Sequence, residues 1–562
     1  MHKITGKYSF RIAAAGVIVA GAAVGGTVAL SGAAAAAVAV PCSSSSLISA
    51  ISTANTTPAD DSLSLTSGCV YSFTAADNAT DGGNALPVIT GSVSIAGNGA
   101  TITRSGSTAF RLFDVASAGS LSLSDVTLSN GLAAGTAGGG AVFNHGPLSV
   151  TSTTFSGNTS TATATSGGAI NSSGPLTVSL STFTGNTAVE GGGIFNESTG
   201  AAATITDTTF SGNTATTFGG GAIVSADGTT NLARDTFSGN NATGTAGGGA
   251  IDNDAAVNVT NSTFNGNTAG TNGGGAIQNF GTMAITWSTI SGNNSAFGAD
   301  LHNDTTGSLT VAETIVANGG GGGSNCSGTP AVVDGGYNID TGTSCGFSTA
   351  NHSKPSTNPD LSALAANGGP TQTMALASGS PAVNAVPVGV TGCSGSTDQR
   401  GVSRPQGIAC DIGAYELAMA SPSPSPTPTT SSPSPPPPGG RIVGYAGKCL
   451  DNFRNSTADR NKIDIWDCNG TAAQRFVYTS NGELQVNGKC IDDRAFGHSG
   501  TGIVLFTCNG GSNQRWIHTG GAYVLVFRHL CLDDPAFSKK NGTQVIVYYC
   551  NSGANQKWSL PA

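Results

Sequence analysis

The chain has 562 residues, a formal net charge of −9, 9% charged residues and 83 glycines. That length implies several domains, and a sparse, acidic charge set with no basic run excludes a nucleic-acid footprint. So much glycine would ordinarily point to disorder, but a strict internal period argues for an ordered repeat.

Lys3, Lys7 and Arg11 precede an apolar run from Ile12 to about Val40, and Ala37-Val38-Ala39 offers an A-x-A cleavage signal. Residues 1–39 therefore read as a secretory signal peptide. This predicts a secreted, extracellular protein, free or surface-associated, with no membrane insertion after cleavage. Twelve cysteines suit export and fall into six neighbouring pairs: Cys42/Cys69, Cys326/Cys345, Cys393/Cys410, Cys449/Cys468, Cys490/Cys508 and Cys531/Cys550. Six structural disulfides are expected. No pair has the close CxxC spacing of a zinc site, so neither a metal nor another cofactor is expected.

Residues 40–86 are expected to cap a solenoid, whose open end exposes unpaired strand edges. Leu47, Ile48, Ala50 and Ile51 suit a short amphipathic helix, and the segment from Ser62 to Phe73 alternates like a strand. The repeats occupy 87–316. One phrase recurs as TTFSGNTS from Thr153, STFTGNTA from Ser181, TTFSGNTA from Thr208, DTFSGNNA from Asp235, STFNGNTA from Ser262 and STISGNNS from Ser288. Its anchors Phe155, Phe183, Phe210, Phe237, Phe264 and Ile290 are 28, 27, 27, 27 and 26 residues apart. A Gly-Gly-Ala-Ile phrase keeps pace between them.

A period in the twenties means a solenoid. Gly, Thr, Ser and Asn fill every copy and form helices poorly, whereas short alternating runs such as Leu176 and Val178 have strand periodicity. Three short strands and three turns per lap of a parallel β-helix are expected. The Phe anchors point inward and stack, glycine makes corners of positive φ, and Asn158, Asn186, Asn213, Asn240, Asn267 and Asn293 form a hydrogen-bonded column. Residues 317–416 lack the repeat, contain two cysteine pairs, and are expected to be a C-terminal cap.

The paired GGAI and FxxN phrases resemble the repeats of chlamydial-type polymorphic outer membrane proteins. The start, the laps and the ending NGGPTQTMALASGSPAVNA…DQRGVSRPQGIACDIGAYE are similar to the bacterial choice-of-anchor Q β-helix proteins over roughly residues 42–416. That resemblance implies a right-handed parallel β-helix, secreted or surface-attached, and no established activity. Residues 417–440 form a Pro/Ser/Thr-rich linker, expected to be an extended spacer.

Residues 441–562 repeat three times, with Cys449, Cys490 and Cys531 spaced by 41 residues. They resemble the ricin-type β-trefoil lectins, with the QxW signature at Gln474-Arg475-Phe476, Gln514-Arg515-Trp516 and Gln556-Lys557-Trp558. The first copy departs from it with Phe476. The fold class is therefore all-β: a right-handed parallel β-helix followed by a β-trefoil, both the handedness and the trefoil resting on resemblance.

A sugar offers hydroxyls and a flat C–H face, so its site needs a carboxylate, an amide and an aromatic ring. The ricin-type resemblance implies the carboxylates Asp451, Asp492 and Asp533, the rings Trp466, Phe506 and Tyr548, and the amides Asn513 and Asn555, with Ala473 in place of the first amide. The third copy is then complete and ranks first. The QxW residues are assigned to the core. On the β-helix, strand alternation turns Phe143, His145, Phe195, Glu197, Asp252, Asp254, Gln278, Phe280, His302 and Asp304 outward into one shallow strip. Asp254 and Asp304, two laps apart, are about 10 Å from each other, near the upper limit for an inverting carboxylate pair. A solvated polar face is the reading adopted, so no catalytic residue is assigned. The function expected is glycan binding, of galactose or xylan type, by a trefoil that attaches a β-helix rod to a polysaccharide or glycoconjugate surface. The alternative is a polysaccharide-degrading hydrolase or lyase with the trefoil as its carbohydrate-binding module.

Overall fold

A computed structural model describes residues 37–418 and 439–561, apart from 58–59, 164–165, 201, 246, 271, 297, 299, 321–323, 480–481, 494–498, 509–510, 520, 526–529 and 552. Most of the signal segment and of the Pro-rich linker lies outside the described residues. The fold is all-β, a parallel β-helix followed by a β-trefoil, with a single α-helix, Ser44–Ala54, among the described residues.

A typical lap runs through Leu176–Ser179, Thr182–Thr184, Thr187–Ala188 and Ile194–Asn196. This makes four short strands where three were expected. The FxGN phrase causes the difference. Gly185, at φ 62°, turns the chain directly after the Phe strand, and the buried Asn186 holds that corner, so the chain resumes extended pairing at once. The rings of Phe155, Phe183, Phe210, Phe237 and Phe264 stack with centroids 4.5–4.9 Å apart. Each Asn in the column donates Nδ2–H to the Oδ1 of the next at 2.8–3.0 Å. Asn293 closes the column by donating to Asp300 Oδ1 at 2.7 Å.

A second ladder has its signal in the Ser, Thr or Asp two residues before each Phe. Thr153 N–H donates to Ser181 Oγ (3.1 Å), Thr208 N–H to Asp235 Oδ1 (2.8 Å) and Asp235 N–H to Ser262 Oγ (3.1 Å). These bonds fix a corner whose preceding residue is left-handed without being glycine, at Leu180, Asp207, Arg234 and Asn261 (φ 48–61°). Such a conformation costs roughly 1–2 kcal/mol, of the order of the hydrogen bond gained. Glycine is required elsewhere, in the GGAI phrase. A Cβ on Gly192 would lie 2.2 Å from Gly221 O of the next lap.

The parallel ladder runs from Val38–Val40 to Ile339–Asp340, entering both segments expected as caps. At the start Leu47, Ile51 and Ala54 of the helix close the core, with Ser43 accepting from Ser46 N–H as N-cap. At the far end Cys345 and Phe347 join the same core. Residues 358–416 then fold back along the side of the rod as a strap. Thr371 Oγ1 donates to Arg234 O (2.8 Å), Gln399 Nε2 to Asp235 O (3.1 Å), and Gly413 N–H to Glu313 O (2.9 Å). The strap locks itself through buried ion pairs, Arg400–Asp398 at 2.6 Å and Arg404–Glu416 at 2.8 Å. Arg404 also lies 4.5 Å over the ring of Trp287.

All six disulfides pair as expected. In the trefoil, Phe476, Trp516 and Trp558 are buried at the centre with Leu450, Ile465, Ile491, Leu505, Leu532 and Val547.

Candidate carbohydrate-binding sites

Each trefoil copy is built on one antiparallel hairpin whose two strands carry the paired cysteines. In the first, Lys448–Asn452 pairs with Ile463–Asp467 so that Cys449 faces Trp466, Leu450 faces Ile465, and Asp451 faces Asp464. Leu450 and Ile465 enter the core, so by strand alternation Asp451, Asp464 and Trp466 share the opposite face. The other hairpins repeat this register. Asp492 faces Val504 and Cys490 faces Phe506, while Asp533 faces Ile546 and Cys531 faces Tyr548. Carboxylate and ring thus meet on the outer face of every copy.

The aspartates are 7%, 4% and 3% exposed, whereas Trp466 and Tyr548 are 37% and 43% exposed. What holds the carboxylates is the glutamine of QxW, delivered by the short 3-10 turn after the second cysteine. Gln474 Nε2 donates to Asp451 Oδ2 at 2.8 Å, Gln514 Nε2 to Asp492 Oδ2 at 2.7 Å, and Gln556 Nε2 to Asp533 Oδ2 at 2.7 Å. Each glutamine also donates to a backbone carbonyl beside the second cysteine. Phe476, Trp516 and Trp558 are core, as the signature suggests. The glutamines beside them instead orient the site. Asn513 and Asn555 add a second donor to the same Oδ2 at 3.0 and 2.9 Å. Both amides therefore converge on one carboxylate oxygen and leave Oδ1 to accept from a ligand. Burial raises all three carboxyls above the usual range, and the amide bonds pull them back down.

Asp464 is a residue that the sequence reasoning missed. It is fully buried beside Asp451, with Lys462 Nζ 3.0 Å from its Oδ2. Burial, opposed by Lys462 and helped by Asp451, pushes its carboxyl up to about 6. The signal was an acid two positions before the ring in IDIW, where the other copies read IVLF and VIVY. The first copy thus lacks the loop amide but carries a second carboxylate on its strand.

The β-helix strip departs from expectation. Phe143, Phe195 and Gln278 are only 8%, 5% and 1% exposed, because the glycine-rich turn of each lap folds over that strand. A Cβ on Gly220 would lie 2.6 Å from Val224 Cγ2, and one on Gly219 would lie 2.2 Å from Asp252 Oδ2. Burial first, then Asp254, Glu190 and Asp304, push the Asp252 carboxyl well above its usual range. His302 and Asp304 approach to 3.9 Å, and Gln278 Nε2 donates to Asp304 Oδ2 at 3.2 Å. His145 is engaged with Ser173 Oγ. Among the described residues one group has metal-ligand proximity, Glu483 with Cys490 and Cys508, but both sulfurs are tied up in a disulfide.

Residues 438–558 match the family described as "Ricin-type beta-trefoil lectin domain". Serine protease 1 of Rarobacter faecitabidus is 28% identical over 13% of this chain and 22% of its own length. Ribosome-inactivating protein PMRIPt of Polygonatum multiflorum is 31% identical over 12% of this chain and 11% of its own. The chain thus spans only about a fifth of the length of these curated relatives, or less. Among solved structures, the designed three-fold symmetric protein ThreeFoil is 27% identical and covers 22% of this chain and 97% of itself, with a TM-score of 0.20. The earthworm R-type lectin C-half, in complex with GalNAc, is 22% identical over 22% of this chain and 98% of itself, also at 0.20. With three hairpins in one register, three QxW glutamines on three aspartates and the family match, residues 438–558 are a ricin-type β-trefoil lectin domain.

Proposed function

We propose that this is a secreted glycan-binding protein whose trefoil attaches a rigid β-helix rod to a polysaccharide or glycoconjugate surface. The observation that carries the reading is the outer face of the hairpins, where a buried aspartate keeps Oδ1 open beside a ring that is exposed in the first and third copies and half-buried in the second. The likeness of residues 42–416 to choice-of-anchor Q proteins agrees with a surface role, and the six disulfides agree with export. Galactose- or xylan-type sugars suit a carboxylate that accepts from adjacent hydroxyls under a stacked ring.

The third copy is the strongest site on this reading, since Tyr548 both stacks and hydrogen-bonds and Asn555 completes the set. In the first copy Trp466 and Asp464 stand in for the missing amide, although Lys462 occupies part of Asp464. Phe506 in the second copy can only stack. Hydrogen bonds to a charged group contribute about 1.5–3 kcal/mol, so Asp533→Ala should weaken binding by roughly tenfold to a hundredfold. Titration of the full chain with galactose and xylo-oligosaccharides should rank Asp533→Ala as most damaging, Asp451→Ala next and Asp492→Ala least. Unchanged binding in all three variants would mean that the trefoil keeps its fold without the activity.

A further inference from the structure

The outward positions of the Phe-bearing strands form a grid of hydroxyls. Thr127, Thr154, Thr182 and Thr209 stand in register on successive laps, and a Ser or Thr two residues on makes a parallel column. Laps about 4.8 Å apart and outward residues two strand steps apart give a repeat of roughly 5 by 7 Å. No charged or aromatic side chain occupies these outward positions from Thr127 to Ser211. The stacked phenylalanines behind them keep the face regular. The hydroxyls of Thr154, Thr182 and Thr209 have no hydrogen-bond partner among the described residues.

Further along, the same column is covered. It continues in register to Thr236, Thr263 and Thr289, and there the strap lies on it. Thr236 Oγ1 donates to Gln372 O at 2.5 Å, Thr263 Oγ1 donates to Gln399 Oε1 at 2.6 Å, and Thr289 Oγ1 accepts from Ala414 N–H at 3.0 Å. These three threonines are fully buried, whereas those of the uncovered laps are half-buried. Three separate segments of the strap, at Gln372, Gln399 and Ala414, therefore already meet this column with uncharged donors and acceptors across three laps. The open laps continue that interface.

We propose that the open laps dock a polysaccharide chain lying along the rod, its hydroxyls exchanging hydrogen bonds with the Thr and Ser columns lap by lap. This rests on the glycan-binding reading above and gives the β-helix a share in it. The face has no charge to attract a charged partner and no aromatic or Arg anchor of the kind that holds a protein interface. A polysaccharide instead offers hydroxyls at a regular repeat. Without a ring to stack on, a single sugar is not retained, and weak contacts become useful only when linked along successive laps.

The test uses the full chain, sedimented with insoluble cellulose, chitin and xylan and then washed with excess free galactose, xylose and N-acetylglucosamine. On at least one solid, wild type should divide into a sugar-eluted fraction, held by the trefoil, and a sugar-resistant fraction, held by the grid. The triple variant Thr154→Val, Thr182→Val, Thr209→Val removes three hydroxyls while keeping shape and strand preference. It should lower the resistant fraction about fivefold or more and leave the sugar-eluted fraction unchanged. The single variant Thr182→Arg, which obstructs the grid, should do the same and covers the case of a destabilised triple variant. No resistant fraction on any solid, or one that both variants retain, overturns the proposal. A resistant fraction with no sugar-eluted one removes the trefoil reading and leaves this one standing.

Discussion

Asp451, Asp492 and Asp533 are each held by a glutamine whose sequence neighbours are core residues, and the first of these aspartates has a second carboxylate beside it. Asp464 and Asp534 both have their carboxyls pushed up to about 6 by burial, with Asp451 adding to the effect on Asp464 and Asp533 to that on Asp534. In the unfolded chain such a group releases its proton near pH 3.9. The folded state therefore binds these protons more tightly. The stability that results is fully present below about pH 4 and is lost as pH rises through about 6. The trefoil is expected to melt at a lower temperature at about pH 7.5 than at about pH 5, and Asp464→Asn or Asp534→Asn should narrow that difference. Thermal melting followed across this range checks it, and profiles identical to wild type would place the shift in other groups. The ricin-type resemblance implied these aspartates, rings and amides by their places relative to the cysteines and the QxW glutamines. Asp464 was not, because its role depends on a cross-strand neighbour.

At the scale of the lap, two side-chain ladders do different work. The Asn column joins six laps through buried amides, so Asn213→Ala or Asn240→Ala leaves partners on both neighbouring laps unpaired. A cost of about 1–3 kcal/mol for each group left unsatisfied is expected, with sugar titration unchanged. An unaltered melting profile for both variants would count against the column. The Ser/Thr/Asp ladder has one ionisable member, Asp235, fully buried and with its carboxyl pushed well above the usual range, mainly by burial. Its contribution is retained while it is protonated and is lost as pH rises through that elevated value. Asp235→Ser, which restores the residue found at Ser181 and Ser262, should raise the melting temperature in alkaline buffer and have less effect in acid. A lower melting temperature throughout would show that the carboxyl fills a space that serine leaves empty. The Asn column could be read from the repeat. The second ladder could not, because Ser and Thr before a strand are equally at home in a solvated turn.

At the scale of the molecule, the ladder begins at Val38, earlier than the cleavage expected after Ala39. Val38, Ala39 and Val40 pair with Leu63, Ser64 and Leu65, and removing two of the three would leave that edge unpaired. Cleavage after Ala35, Ala36 or Ala37, each of which also ends an A-x-A triplet, preserves the strand. Intact mass of the secreted protein should place the new N-terminus at or before Val38, and a start at Val40 would contradict this. By itself the sequence determined the architecture: the period of about 27 residues, the inward Phe and Asn, the three trefoil copies and the six disulfides. Each of these is set by local spacing, and every lap buries its neighbour in the same way. Only the tertiary structure decided what depends on segments far apart in the chain. The strap lies along the rod because Gln399 and Ala414 find threonines on laps more than a hundred residues earlier. Phe143, Phe195 and Gln278 of the expected β-helix strip are covered because glycine turns fold over their strands. Asp464 lies beside Asp451 because an antiparallel register sets the two opposite each other. No local pattern encodes such pairings, since they follow from which surfaces remain free once the laps have stacked.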